Sequence, residues 1–340
     1  MDPKELKYYR PERPFNLERG GVIHGLRIAY QTFGKLNKAK DNVVWVCHAL
    51  TANSNVPDWW GGVAGPKGFF NTEEHFIICA NIIGSCYGST HPLDIDPGTG
   101  EPFYYDYPFV TLRDIVQAHI DLKNHLGIDK IHCCIGGSCG ASQVLEFALM
   151  APGKIENMMI IAGSARETPW SIAIHASQRM AIESDCTWGK KDDKAGIKGM
   201  KTARGIGLLT YRTQHAYADS QSDSSEVVDN YKADSYIRYQ GEKLARRFNA
   251  FSYYYLSKTL DTHHIGRDRG SMEEVLGTIT TRALILGIDS DILIPIDEQK
   301  FMADHIPNAQ FGIIESRYGH DGFLIEQQKI RQYLQDFFNE

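Results

Sequence analysis

No run of residues in this chain approaches the roughly 18 apolar residues that a membrane-spanning helix needs. Basic stripes are missing as well. Lysine and arginine total 36 against 42 acids, the two signs are mixed along the chain, and the net charge is −6. Neither nucleic acid nor a membrane surface is an expected partner of such a surface. The opening segment MDPKELKYYRPERPF is charged and lacks the apolar core of a secretion signal. Metal-ligand spacing is absent too. Cys133 and Cys134 are adjacent and would face opposite sides of a strand, and His263–His264 has no recognisable companions. No metal is therefore expected. The seven cysteines are odd in number and lie mostly in apolar stretches. They read as reduced, buried small hydrophobes of a cytoplasmic protein. Internal repeats and low-complexity tracts are lacking.

What is present begins with residues 130–150, KIHCCIGGSCGASQVLEFALM. Ile131, Cys133 and Ile135 form an apolar run bounded by glycine, as in a strand covered on both faces. Gly136, Ser138 and Gly140 then spell G-x-S-x-G. From Ala141 the period turns helical, with Val144, Leu145, Ala148 and Leu149 on one stripe. Strand, tight turn and helix in this order form the nucleophile elbow of α/β-hydrolase folds, with the serine at its tip. A plain glycine turn is the alternative reading of the same motif.

A length of 340 residues allows one large α/β domain with an insertion, or two domains. Residues 15–34 look like a hairpin turning at Gly20–Gly21. Buried strands are predicted over 42–47, 75–80, 131–135 and 155–163, and again over 283–287 and 310–315. A Gly/Pro-rich, aromatic stretch over 84–109 has the look of a functional or Ω loop. Thr111 to Asp114 resembles a capping box, and the helix behind it closes at Gly127. His119 falls on that helix's apolar stripe and reads as a satisfied core or boundary histidine. Residues 164–277 hold no convincing strand. Helical patterns occur near 170–184, 201–213, 227–241 and 242–260, among acid-rich stretches such as 218–226. Helices are also expected near 297–305 and over 324–338. The expected fold is α/β, with a mostly parallel central sheet and helices on both faces. Residues 1–163 and 278–340 would form the core, and 164–277 an inserted helical lid.

A serine nucleophile needs a base and an acid that orients the base, in the chain order Ser, Asp/Glu, His. Asp291 follows the predicted strand 283–287, and His320 follows 310–315, both at strand C-termini where α/β sites gather. Asp289 competes with Asp291 for the acid's role. The oxyanion donors would be the backbone N–H of Cys139 and an N–H from HALTAN, with Leu50 favoured. The Cys139 side chain reads as a small lining group and not as a second nucleophile.

Several longer segments carry a resemblance. They are IAYQTFGKLN, VCHALTAN, NIIGSCYGSTHP, DPGTGEPFYYDYPFVTLRDIV, GGSCGASQ, ARGIGLLTYRT, YIRYQGEKLARRFNAFSYYYL, SDILIP and YGHDGFL. On these, nearly end to end, the chain resembles the homoserine O-acyltransferase family of the homoserine O-acetyltransferase type. The resemblance implies Ser138 as the acylated nucleophile, His320 as base and Asp291 as its partner. It also implies that Arg204 and Tyr211 face the substrate, Arg204 on the amino-acid carboxylate and Asp321 on the ammonium. Acetyl-CoA would be a co-substrate with no permanently bound cofactor, and L-homoserine the acceptor, giving O-acetyl-L-homoserine for methionine biosynthesis. A homodimer joined through the lids is implied as well. Succinyl-CoA as donor, L-serine as acceptor, and ester hydrolysis remain alternatives. The family's usual GGSMGG is here GGSCGA, so Cys139 and Ala141 depart from it. His91 stands where glycine is common and Cys186 where proline is common.

Overall fold

The computed structural model describes residues 5–339. Its strands are β1 (Lys7–Tyr9), β2 (Phe15–Asn16), β3 (Val22–Ile23), β4 (Ile28–Phe33), β5 (Val43–Cys47) and β6 (Phe76–Ala80). They continue with β7 (Ile131–Gly137), β8 (Ile155–Ile161), β9 (Arg282–Ile288) and β10 (Ala309–Ile314). Eight of them form one sheet in the order β1-β4-β6-β5-β7-β8-β9-β10. β4 is antiparallel to both β1 and β6, and every pairing from β6 to β10 is parallel.

The expected hairpin over 15–34 needs correction. Only β2 and β3 pair with each other, as a separate two-stranded ribbon. The longer β4 instead pairs with β1 and β6 in the main sheet, where its Ile28, Ala29 and Tyr30 are buried.

Side-chain alternation divides the core between the two faces. Trp45, Cys134, Met158 and Ile160 pack with the helices Leu112–His125 and Cys139–Met150. Val46, Cys133, Met159 and Ile161 pack on the other face with Trp60, Phe70 and the helix Gln327–Asn339. The adjacent Cys133 and Cys134 thus face opposite sides. Thr111 caps its helix in a full capping box with Asp114, and Gly127 takes a left-handed φ of 65° just past the helix end. The final helix is broken: Gly322–Ile325 is a short turn, and Glu326 separates it from Gln327–Asn339. His119 is fully buried, yet neither ring nitrogen has a hydrogen-bond partner, so it is a core histidine but not a satisfied one.

Between β8 and β9 the chain forms helices Pro169–Glu183, Ile197–Tyr211, Gln214–Gln221, Lys232–Ala245, Ala250–Leu260 and Met272–Gly277. The expected break at 241–242 is wrong. Gly241 lies inside a helix because it packs against the Lys201 backbone, where a Cβ would come within 2.9 Å of a carbonyl oxygen. The break falls later, where the Asn249 side chain caps the next helix by accepting from the Ser252 N–H at 2.7 Å.

The elbow depends on contacts that exclude side chains. A Cβ on Gly140 would sit 2.1 Å from the Cys47 carbonyl oxygen, and one on Gly136 2.4 Å from the Gly140 backbone. Ala141 adds a methyl at this crowded junction, and Gly163 opposite it leaves the space. Gly140→Ala is expected to destabilise the fold by at least about 3 kcal/mol, since backbone cannot yield as a side chain does. Chemical denaturation checks this, and an unchanged midpoint would contradict the contact.

Candidate active site

Four parallel strands deliver the site from their C-terminal ends. β5 leads into the HALTAN loop, β7 ends at Ser138, β9 runs on to Asp291, and β10 leads to His320. Ser138 has φ 56° and ψ −127°, a backbone conformation that non-glycine residues avoid at a cost of about 1–3 kcal/mol. Its N–H is held at 3.0 Å by the Ile161 carbonyl. The side chain therefore stands clear at the head of the helix Cys139–Met150.

Ser138 Oγ lies 2.7 Å from His320 Nε2, and His320 Nδ1 lies 2.6 Å from Asp291 Oδ2. Asp291 Oδ1 accepts the N–H groups of Leu293 and Ile294 at 2.8 and 3.0 Å, which fixes the carboxylate. His320 is buried, and burial works to lower its pKa. The charge and hydrogen bond of Asp291, helped by Asp321 and Glu167, outweigh that and leave it raised. Asp289, the rival acid, is exposed and accepts the Ser316 N–H at 2.8 Å, a loop-bracing contact away from the histidine.

Ser138 and His320 border a cavity of about 310 Å³ that Leu50, Arg204, Tyr211 and Asp321 also line. Asp291 and Cys139 stand behind its wall. The Leu50 N–H meets no acceptor among the described residues. Neither does the Cys139 N–H, at the first position of its helix. The Cys139 thiol is buried and pushed up to about 12 by that burial, so it stays protonated. Its sulfur contacts Gln143 Nε2 at 3.5 Å.

Arg204 and Tyr211 share the helix Ile197–Tyr211, with the guanidinium 5.6 Å from the ring centre. Arg204 makes no ion pair among the described residues, and its Nε is buried without a hydrogen-bond partner. Asp321 is paired with Arg212, Nε to Oδ2 at 3.0 Å. Among the lining residues that sequence reasoning missed are His175 and Arg247. His175 lines the cavity with Nδ1 held by Asp261 at 2.8 Å, and Arg179 holds the other oxygen of Asp261 at 2.7 Å. Arg247 borders it too, donating to the Thr51 carbonyl at 2.6 Å. His175 had no motif to betray it, whereas Arg247 lies in the quoted segment LARRFNAF.

Comparison with known proteins follows this geometry. An α/β-hydrolase-fold family model matches residues 42–327. A homoserine O-acetyltransferase of Cyclobacterium marinum is 46% identical over 97% of this chain and 94% of its own length. The chain belongs to the homoserine O-acetyltransferase family. The family's architecture recurs in solved structures. A homoserine O-acetyltransferase from Bacillus anthracis superposes with a TM-score of 0.89 at 23% identity, covering 97% of each chain. An acetylester hydrolase from Corynebacterium glutamicum gives 0.87 at 20% identity, over 98% and 96% of the two chains. Likenesses this remote speak for the fold alone, which transferases and hydrolases evidently share.

Asp291 makes the largest of the contributions that raise the histidine pKa. Asp291→Asn is therefore expected to bring the His320 pKa down, followed by NMR titration of labelled histidine. An unmoved titration would assign the shift to another group.

Proposed function

We propose that the protein transfers an acetyl group from acetyl-CoA to the hydroxyl of L-homoserine, by a ping-pong route through Ser138. The observation that carries this reading is the pairing of an assembled Ser138–His320–Asp291 chain with an uncompensated Arg204 in one cavity. Relatives named homoserine O-acetyltransferase support acetyl transfer to homoserine, and acetyl-CoA as the donor is part of the proposal.

His320 takes the proton of Ser138 as the serine attacks the thioester carbonyl. Asp291 holds the ring in the tautomer with Nδ1–H and stabilises the imidazolium that forms. The backbone N–H groups of Leu50 and Cys139 receive the oxyanion, each donor being worth about 10² to 10³ in rate. The tetrahedral intermediate collapses, the C–S bond breaks, and His320 returns the proton to the departing thiolate. L-Homoserine then enters. Arg204 receives its carboxylate through the planar guanidinium. Asp321 receives the ammonium while Arg212 steadies the acid from the other side. His320 removes the hydroxyl proton as the oxygen attacks the acyl-serine, the intermediate collapses with cleavage of the acyl–Oγ bond, His320 returns the proton to Ser138, and O-acetyl-L-homoserine is released toward methionine synthesis.

The insertion serves as the lid, and residues 1–163 and 278–340 as the core it covers. Supporting this, His175, Arg204, Tyr211, Arg247 and Leu260 all come to the cavity from the insertion. We further propose a homodimer formed through it. Its helices carry a groove lined by Ile206, Leu209 and Ile237, with Leu209 60% exposed. A cytoplasmic location accords with seven free cysteines.

Thiol release is the direct assay, run with acetyl-CoA or succinyl-CoA against homoserine, serine and water. Release is expected with acetyl-CoA and homoserine, and Ser138→Ala abolishes it; fast release with water alone would make the protein a hydrolase. Arg204→Ala is expected to raise the homoserine KM about 100-fold or more, on the strength of charge-assisted hydrogen bonds, while the first burst of thiol persists. Loss of the burst itself would remove Arg204 from the acceptor's site.

A further inference from the structure

His48 opens the HALTAN loop directly after β5, and it is completely buried. Its Nδ1 lies 2.8 Å from the carbonyl oxygen of Ala49, and the backbone N–H of Ile82 approaches its Nε2 at 3.2 Å. A carbonyl can only accept and an amide N–H can only donate. The ring is therefore the tautomer with Nδ1–H and a bare Nε2. Burial keeps it neutral, lowering its pKa to about 4 against the pull of the Ala49 bond.

The bonded carbonyl has a particular place in the chain. The Ala49 C=O and the Leu50 N–H belong to one peptide group. The chain contains no cis peptide bond among the described residues, and in a trans peptide the C=O and N–H point to opposite sides. A carbonyl turned inward onto His48 turns the Leu50 N–H outward, toward the cavity that Leu50 lines. Hydrogen bonding to the carbonyl also polarises the peptide and makes its N–H a better donor.

A second grip acts one residue earlier. The buried Gln143 amide donates to the His48 carbonyl at 3.0 Å and to the Cys139 carbonyl at 3.1 Å. One side chain thereby ties the loop after β5 to the first turn of the elbow helix. The two backbone donors of the oxyanion site come from those two segments.

We infer that His48 is a positioning residue for acyl transfer: together with the Ala52 N–H, which donates to the same Ala49 carbonyl at 3.0 Å, it grips the peptide 49–50 and aims the Leu50 N–H at the oxyanion. This rests on the reading of Ser138 as the acylated nucleophile. His48 itself touches neither substrate nor the reacting atoms.

Three variants test it. His48→Asn puts an amide N–H where Nδ1–H lies, His48→Gln extends its amide toward the Nε2 position, and His48→Phe keeps the ring without either nitrogen. Each is assayed for kcat and acetyl-CoA KM, and for affinity toward an alkyl boronic acid that forms a tetrahedral adduct on Ser138. His48→Phe is expected to lower kcat and boronate affinity each by about 10- to 100-fold, below the loss for deleting a donor outright. The acetyl-CoA KM stays within about threefold, since ground-state binding does not use the oxyanion donors. His48→Asn is expected to keep most of both quantities. Equal losses in Asn and Phe, or an unchanged boronate affinity in Phe, would overturn the inference. Should His48→Phe fail to fold, the Gln and Asn variants decide: Gln must lose more than Asn, and parity refutes the role. Ser138→Ala is measured alongside. If it still turned over, the nucleophile reading would fall, which is a different outcome from a flat His48 series.

Discussion

The absence of a side chain at residue 140 is the constraint on which the site depends. Gly140 lets the first turn of the elbow helix rest directly on the Cys47 carbonyl at the end of β5. That contact brings two unrelated chain segments together. One continues into His48, Ala49 and Leu50, and the other begins with Ser138 and Cys139. A single added carbon would part them, and the two backbone donors would no longer converge on one point. The strained φ of Ser138 is held by the buried elbow backbone around it and by its N–H bond to the Ile161 carbonyl. Ala141 adds a methyl to this junction, and Gly163 leaves room for it, so the departure at residue 141 need not reshape the cavity.

Charge pairing makes a second argument about what the cavity is for. Around it, Arg212 is held by Asp321 and Arg179 by Asp261. Among the described residues neither Arg204 nor Arg247 has an acid partner, but Arg247 donates to the Thr51 carbonyl and the Tyr87 hydroxyl, whereas Arg204 has a buried Nε without a partner. A partly buried cation without a counter-charge is destabilising to the empty protein. A ligand carboxylate removes that penalty on binding, so part of the affinity is stored in the folded chain. Tyr211 supports the same end by placing its ring beside the guanidinium.

Much of this was legible in the sequence, for identifiable reasons. Ser138, Asp291 and His320 follow strands whose apolar runs are easy to see, and their order along the chain is diagnostic. Choosing Asp291 over Asp289 was not a matter of spacing alone. The structure separates them because Asp289 spends its carboxylate on the Ser316 N–H. The partner of β4 was illegible, since a strand's pattern shows which face is buried but not which strand lies beside it. The same applies to His175. Its tie to Asp261 spans 86 residues, and nothing local records it. His48 was visible only as a letter within HALTAN. Its function lies in two backbone bonds, one of them to Ile82 across 34 residues.

Transfer and hydrolysis differ less in the catalytic chain than in what surrounds it. His320 can deprotonate water as readily as a hydroxyl, and this fold also carries an acetylester hydrolase. An acyl-serine in such a site partitions according to which oxygen is held near it. An acceptor anchored at both its carboxylate and its ammonium presents its hydroxyl at an effective concentration that free water cannot match in orientation. In the proposed mechanism the selectivity would reside in Arg204 and Asp321, one on a helix of the insertion and the other beside His320 on the core. The insertion brings Arg204 to the cavity that Ser138 borders, and as the proposed lid it would also keep water out. If the proposed mechanism holds, the triad sets how fast the serine is acylated, and the Arg204–Asp321 pair sets where the acyl group goes.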